Sequence, residues 1–349
     1  MVSLAEVINY IMVSTMSTKF SFNSSPPQAL VTGGNGFLGS HLVEALLQRG
    51  YRVRCLVRKG SDLRWIKGLR IDLFVGDLSD PSSLHRAVRG ADYIYHLAGL
   101  TKAIRPELYY DVNREGTKNL LDVCSAEGKR LHKLIYVSSL AAIGPGRRGI
   151  PLKEEDPPRP LTDYGRSKLE GEREVWRYQG KVPVTIIRPP VIYGPRDRQL
   201  LSFFQIVKRG ILPVLSMKLS LAYVKDVVAA LLLAGEREES RGEAYFVCGP
   251  RVSSWGEIGR LAGEIMGVET WRLHLPALSP YPVALFYEAL SLFTRRPTVL
   301  NLQKAREMSQ RYWVCDPTKA GKELGFHPQY PLKQGLEETI KWYKSQGWL

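Results

Sequence analysis

Residues 29–50, ALVTGGNGFLGSHLVEALLQRG, constrain this chain more than any other stretch. A short apolar run passes directly into Gly33, Gly36 and Gly39, and an amphipathic helical pattern follows without a break. Glycine at those positions lets the backbone turn tightly, admits a ligand close to the main chain, and packs the helix on the strand. The helix then opens with free N–H groups, which favour phosphate oxygens. A glycine triplet alone is a common turn. Its place between a first strand and a helix makes it a dinucleotide-binding turn.

The same alternation continues. ALVT (29–32), YRVRCLV (51–57), IDLFV (71–75), DYIYHLA (92–98), KLIYVSS (133–139) and VTIIR (184–188) read as strands. Amphipathic stretches such as PSSLHRAVRG and NREGTKNLLDVCSAEG separate them, each closing near a glycine. Strand and helix in strict turn predict an α/β fold, a doubly wound parallel sheet of the Rossmann kind. After about residue 190 helical patterns dominate (LLSFFQIVKRG, KDVVAALLLAGE, SSWGEIGRLAGEIMG), with EAYFVCG as one further strand. The expected division is a dinucleotide-binding domain over 28–190 and a smaller, mostly helical substrate lobe over 191–349. Whether some of that lobe's segments return to the sheet stays open. Residues 1–27 read as a flexible N-terminal extension. Its VINYIMV patch lacks a basic flank and follows Glu6, unlike a secretory signal.

Apolar residues make up 44% and charged residues 24%, which suits a globular chain with a sizeable core. The four cysteines are scattered, with no CxxC or Cys/His cluster. That pattern excludes a disulfide framework, predicts no metal site, and suits a reducing, cytoplasmic setting. Net charge is +15, yet the cations are spread along the chain without a nucleic-acid-binding signature. Such a balance points to phosphate-bearing ligands or lipid headgroups rather than nucleic acid.

NAD-specific turns place an acid about 20 residues beyond the glycines, where it holds the ribose 2′-hydroxyl. Here the second strand ends in VRCLVRKGSD, with Arg58 nineteen residues after Gly39, Lys59 next, and the first carboxylate only at Asp62. A cation there welcomes a 2′-phosphate, so NADP(H) is the expected cofactor and NAD(H) the alternative. Two solvated surface cations are the plainer reading of the same residues.

The stretch DYGRSK puts Tyr164 and Lys168 four residues apart, on one face of a helix. Such pairs often just decorate a half-exposed face. A free phenol has a pKa of about 10, and a neighbouring ammonium favours its ionised form. Tyr164 would then exchange a proton with a substrate oxygen that Ser139, at the end of the fifth strand, also holds.

With these motifs the chain resembles the extended short-chain dehydrogenases/reductases over about residues 28–349. The markers are TGxxGxxG at 32–39, GDL at 76–78, HLAG at 96–99, NxxGTxNLL at 113–121 and YVSS at 136–139. YxxxK at 164–168, RPPVIYGPRD at 188–197 and YVKD at 223–226 continue the series. The resemblance implies Ser139, Tyr164 and Lys168 as catalytic residues, with Lys168 also on the nicotinamide ribose. It places Gly33, Gly36, Phe37, Leu38 and Gly39 at the cofactor turn, and Asp77 and Leu78 by the adenine. Leu97, Ala98 and Gly99 would line the cofactor, Asn113 support the sheet edge, and Pro189 lie near the nicotinamide. His96 reads as a packed histidine, and Glu154, Glu155 and Asp156 as solvated loop charge.

Three activities fit that family: net oxidoreduction, epimerisation with the dinucleotide as an internal hydride store, and cofactor-bound partner binding without catalysis. The intact Ser139, Tyr164 and Lys168 oppose the last. Dehydratases carry Asp-Glu after the active-site hydroxyl, where this chain has Leu140 and Ala141. Sugar-nucleotide epimerases carry a GDGxQxRDFxYV-like stretch, where this chain has LPVLSMKLSLAYVKD. The C-terminal half resembles the 3-beta-hydroxysteroid dehydrogenase and dihydroflavonol reductase branch. An NADP(H)-dependent oxidoreductase for a bulky, fairly apolar alcohol or carbonyl is therefore expected, with epimerisation as runner-up. A homodimer is an open alternative to a monomer.

Residues 275–296, LPALSPYPVALFYEALSLFTRR, predict a largely apolar helix. The first reading is a lid packed over the substrate pocket. The second is a peripheral membrane contact through 283–296, with Phe286 and Phe293 on one face. The stretch is too short and interrupted for a membrane span.

Overall fold

The computed structural model describes residues 25–127, 131–147, 149–294 and 301–349, with backbone alone at 291–294. The extension expected over 1–27 falls almost wholly outside the described residues, as do Arg295 and Arg296.

Seven parallel strands form the central sheet: β1 (Gln28–Thr32), β2 (Arg52–Val57), β3 (Asp72–Val75), β4 (Tyr93–His96), β5 (Lys133–Val137), β6 (Val184–Arg188) and β10 (Glu243–Phe246). Their order is β10-β6-β5-β4-β1-β2-β3. The chain winds outward in one direction from β1 and in the other from β4, so a crevice opens between these two at their carboxyl ends. Both faces are covered. Ala29 and Val31 of β1 pack with Leu42, Val43 and Leu46 of helix α1 (Phe37–Gln48), while Leu30 faces Leu84 of α2 (Pro81–Val88) and Leu120 of α3 (Gly116–Glu127). A strand buried on both sides needs a continuous apolar run, which is how β1 reads. Helix α4 (Asp163–Arg177) fills the crossover from β5 to β6.

The stretch EAYFVCG, among the later segments whose return to the sheet the sequence leaves open, closes the sheet. Glu243–Phe246 runs parallel to Thr185–Arg188, with Ala244 in one core layer and Tyr245 in the other. The helix leading into it, numbered α6 (Val224–Glu236), packs on the α1 side through Val227, Val228 and Leu231. Its apolar residues run almost all round, so it requires burial on more than one side.

The second lobe has its own small sheet: β9 (Lys218–Tyr223) lies between β11 (Val252–Ser254) and β13 (Tyr312–Trp313), and pairs also with β7 (Val191–Tyr193). A two-stranded ribbon joins β8 (Ile211–Val214) to β12 (Trp271–His274). Helices α5 (Leu201–Lys208), α7 (Trp255–Met266) and α10 (Leu332–Ser345) bury Phe204, Ile258, Ala262 and Leu336 against it. Helices α8 (Pro280–Thr294) and α9 (Leu302–Met308) lie together between these elements in the chain. The lobe is mostly helical, as the sequence indicates, with these short strands added. They alternate too briefly to carry a period of two.

Candidate active site

The glycine turn leaves β1 and enters α1. Gly33 has φ +72°, and a Cβ there would sit 2.8 Å from the Ala98 nitrogen. A Cβ on Gly39 would sit 2.1 Å from the Gly33 carbonyl oxygen, so α1 starts in backbone contact with the turn. A Cβ on Gly36 would meet only the Gly33 oxygen, at 3.3 Å. Gly36 also caps α1 without a side-chain acceptor. The first-turn N–H groups are thus unshielded, and the cradle fits a pyrophosphate. Phe37 and Leu38 are half-buried and pack toward the second lobe's core.

The other sequence-predicted cofactor residues stand at the carboxyl ends of neighbouring strands. Arg58, exposed, directly follows β2. The Ser79 backbone N–H holds the Asp77 carboxyl below its usual range, with the Ser79 hydroxyl and Arg58 adding to the effect. Leu78 is 8% exposed. The Leu97 N–H donates to the Thr32 carbonyl (3.1 Å) and the Ala98 N–H to the Thr32 hydroxyl (3.1 Å), so the chain beyond β4 lies against the end of β1. Asn35, which the motif reading passed over, donates to the Asp62 carbonyl at 3.1 Å and ties the glycine turn to the loop after β2.

Asn113 sits in a π-turn (Asp111–Glu115) and joins three elements. Its carboxamide accepts from the Leu100 N–H (2.7 Å) and donates to the Leu100 carbonyl (3.0 Å) and the Ser167 hydroxyl (2.9 Å). The segment beyond Gly99 is thereby fixed to α4. His96 is 1% exposed between the Thr32 and Thr117 hydroxyls, at 2.7 and 3.0 Å. It is a satisfied core histidine.

Ser139 ends the stretch after β5, caps the short turn Leu140–Ile143, and accepts from the Ala141 N–H at 3.1 Å. The Leu140 N–H donates to the Pro189 carbonyl at 2.9 Å, which brings Pro189 beside Ser139. Thr162 caps α4 by accepting from the Gly165 N–H at 3.1 Å, so Tyr164 enters on the helix's first turn. The Ser139 hydroxyl stands near enough to the Tyr164 phenol to favour its ionised form. Lys168, 4% exposed, donates to the Val137 carbonyl at 2.7 Å and lies 4.1 Å above the Tyr136 ring.

Burial works against the expected ionisation of Tyr164 by Lys168. Burial pushes the Tyr164 phenol up to about 12; the Ser139 hydroxyl draws it back, while Glu307 and Tyr109 add to the rise. Lys168 does not offset this, because its ammonium is directed at Val137 and the Tyr136 ring, and burial lowers it to about 7. Burial thus favours the protonated form of Tyr164. Glu154 differs too. It accepts from the Phe246 N–H at 2.7 Å, and burial raises it, so it is a structural acceptor rather than solvated charge.

Second-lobe residues with no motif signal complete the surroundings. Gln303 of α9 clasps Asp163, accepting from its N–H and donating to its carboxylate, both at 2.6 Å. Glu307 accepts from the Thr162 hydroxyl at 3.2 Å. From the first domain, Tyr109 lies 6.2 Å from the Tyr164 ring, centre to centre, and its hydroxyl accepts from the Ala103 N–H.

A doubly wound sheet with a phosphate cradle at its switch point and a Ser–Tyr–Lys cluster at the same edge defines a nicotinamide-dinucleotide enzyme acting on CH–OH groups. The chain belongs to the NAD dependent epimerase/dehydratase family, which it matches over residues 29–248. It is 34% identical to a ceramide reductase of Caulobacter vibrioides, across 91% of this chain and 95% of that one. It is 31% identical to sterol demethylase protein B of Methylococcus capsulatus, across 91% and 98%. The crystal structure of gox2253 superposes with a TM-score of 0.77 at 31% identity, covering 93% of this chain and all of the other.

Proposed function

We propose that the protein is an NADP(H)-preferring reductase and dehydrogenase that interconverts a carbonyl and an alcohol on a bulky, fairly apolar substrate. The observation that carries this is the Tyr164 phenol beside the Ser139 hydroxyl at the sheet's carboxyl edge, with burial favouring its protonated form. A bound nicotinamide supplies the hydride on reduction and accepts it on oxidation. Tyr164 gives its proton to the carbonyl oxygen as negative charge develops there, which suits the reductive direction at neutral pH. Ser139 holds the same oxygen. The Lys168 ammonium also lies 3.9 Å from where a Cβ on Gly99 would sit, which supports a role for it at a ribose hydroxyl.

Support for NADP(H) comes from Arg58 and Lys59 directly after β2, at the position where NAD-specific turns carry an acid. Support for an apolar substrate comes from Leu100, Ala103 and Ile104 beyond Gly99, and from the missing nucleotide-binding stretch before β9. Two relatives are named for a ceramide and a sterol, both bulky and poorly soluble in water.

The test is turnover of NADPH and NADH with long-chain keto-lipids, ketosteroids, flavanonols and UDP-sugars. Stoichiometric NADPH oxidation with a lipid ketone is expected. Inversion of a UDP-sugar with no net change in cofactor would replace this reading with epimerisation.

A further inference from the structure

Helix α8 is turned the wrong way for a water-facing lobe. Such a helix buries its apolar stripe and exposes its polar side. Here Val283, Phe286, Tyr287 and Leu290, spaced i, i+3, i+4, i+7, are 47%, 66%, 43% and 42% exposed. The inward side carries Ala284, fully buried, and Glu288, whose carboxylate accepts from the Leu302 N–H of α9 at 3.0 Å. Among the described residues, the large apolar side chains of the expected lid are not packed inward. Phe293, the other residue expected on that face, has its side chain outside the described residues.

The elements that flank α8 in the chain carry exposed cations. Arg272 on β12, Arg306 on α9 and Arg311 beyond it are all exposed. The acids between 271 and 311 are Glu288, which accepts from the Leu302 N–H, and Glu307, which accepts from the Thr162 hydroxyl and pairs with Lys304 at 2.8 Å. Among the described residues no helix is long and apolar enough to cross a membrane, so α8 is suited to lying in the interface plane.

We propose that α8 docks on the anionic surface of a lipid bilayer, with the Val283–Phe286–Tyr287–Leu290 stripe seated at the boundary between headgroups and acyl chains. A second copy of the chain is a poorer occupant. A two-fold contact through this face would set its cations against the same cations. Continuity with the site favours lipid as well, because α9 packs on α8 and Gln303 of α9 clasps the first residue of the catalytic helix. A lipid leaving the bilayer at α8 is thus one helix away from Tyr164.

Flotation tests this without any turnover, so its outcome is separate from the reductase reading. The full chain is mixed with vesicles of phosphatidylcholine alone or of phosphatidylcholine and phosphatidylglycerol at about 3:1. Binding to the mixed vesicles is expected, weakened by salt. Phe286→Glu with Leu290→Glu should cut the bound fraction about tenfold or more. Because both residues are exposed, this variant should keep its unfolding midpoint and its NADPH fluorescence. Arg272→Glu with Arg306→Glu should weaken binding to the mixed vesicles by a similar factor. No flotation with either vesicle, or equal flotation of the Phe286/Leu290 variant, overturns the proposal. A dimer seen by light scattering that this variant dissolves also overturns it and assigns the face to a second copy.

Discussion

Tyr164 and Lys168 share a helix face, yet their surroundings drive their proton affinities in opposite directions. Burial raises the phenol to about 12 and lowers the amine to about 7. A general acid of this kind contributes roughly 10²- to 10⁴-fold in rate. Tyr164→Phe should therefore lose turnover by about that factor while NADPH affinity changes little, checked by single-turnover kinetics and fluorescence titration. Near-wild-type turnover would remove the phenol from the mechanism. Arg58→Ala should weaken NADPH by about tenfold or more and leave NADH nearly unchanged, since a charge-assisted phosphate contact is lost. Equal affinity of the parent protein for both cofactors would end the NADP(H) assignment. His96 allows a prediction about stability. The Thr117 hydroxyl donates to the Asn113 carbonyl at 2.8 Å, so it accepts the ring proton from Nε2, and Nδ1 accepts from Thr32. Burial, with Lys168 adding, lowers this imidazole from 6.5 to about 3. Below pH 6.5 the unfolded chain binds a proton that the folded chain refuses, so the stability present above 6.5 is lost progressively toward about pH 3. Urea unfolding between about pH 4 and 7 should show the midpoint falling on acidification, and His96→Gln should flatten part of that slope. An identical slope in the variant would refute the assignment.

At the scale of elements, α4 is positioned by close approach rather than by propensity. A Cβ on Gly171 would fall 2.3 Å from the Tyr136 hydroxyl and 2.5 Å from the Asn113 carbonyl oxygen. Glycine to alanine inside a helix normally gains about 1 kcal/mol. Here the overlap involves backbone and a fully buried ring, so Gly171→Ala should instead cost about 2 kcal/mol or more, read as a lowered urea midpoint. A stabilised variant would mean that α4 can move off the sheet. Helix α9 acts on α4 from outside. Gln303→Ala removes two 2.6 Å hydrogen bonds to Asp163 but no group of the Ser–Tyr–Lys cluster. It should raise KM for a bulky substrate several-fold, with a smaller change in kcat and a stability loss of about 1–2 kcal/mol. A loss of kcat alone would place Gln303 in the chemistry instead. Neither contact has a local signature. Gly171 reads as an ordinary weak spot in a helical pattern, and Gln303 meets Asp163 across 140 residues of chain.

Over the whole molecule, the C-terminus closes back on the cofactor side. Trp348 stacks on Tyr343 with centroids 5.7 Å apart, and Trp65, in the loop after β2, packs at 5.5 Å on Trp342 and 6.4 Å on Trp348. Arg196, at φ +74°, spans the same junction. It donates to the Ser40 hydroxyl and the Glu44 carboxylate and lies over the Trp65 ring. Trp348→Ala should cost about 3 kcal/mol and loosen the loop that carries Arg58. Urea unfolding and NADPH titration on the same variant should show both losses, and an unchanged cofactor affinity would uncouple the two ends. The strands through β6, the glycine turn and the spacing of Tyr164 to Lys168 were all readable in the chain, because period and spacing are local properties. The tertiary structure alone decided that EAYF closes the sheet, that Glu154 is an internal acceptor, and that α8 faces outward. It also decided that burial favours the protonated form of Tyr164. Each of these turns on which distant groups exclude water or bring charge, as Glu307 does beside Thr162 from 145 residues away, and no window of sequence contains that information.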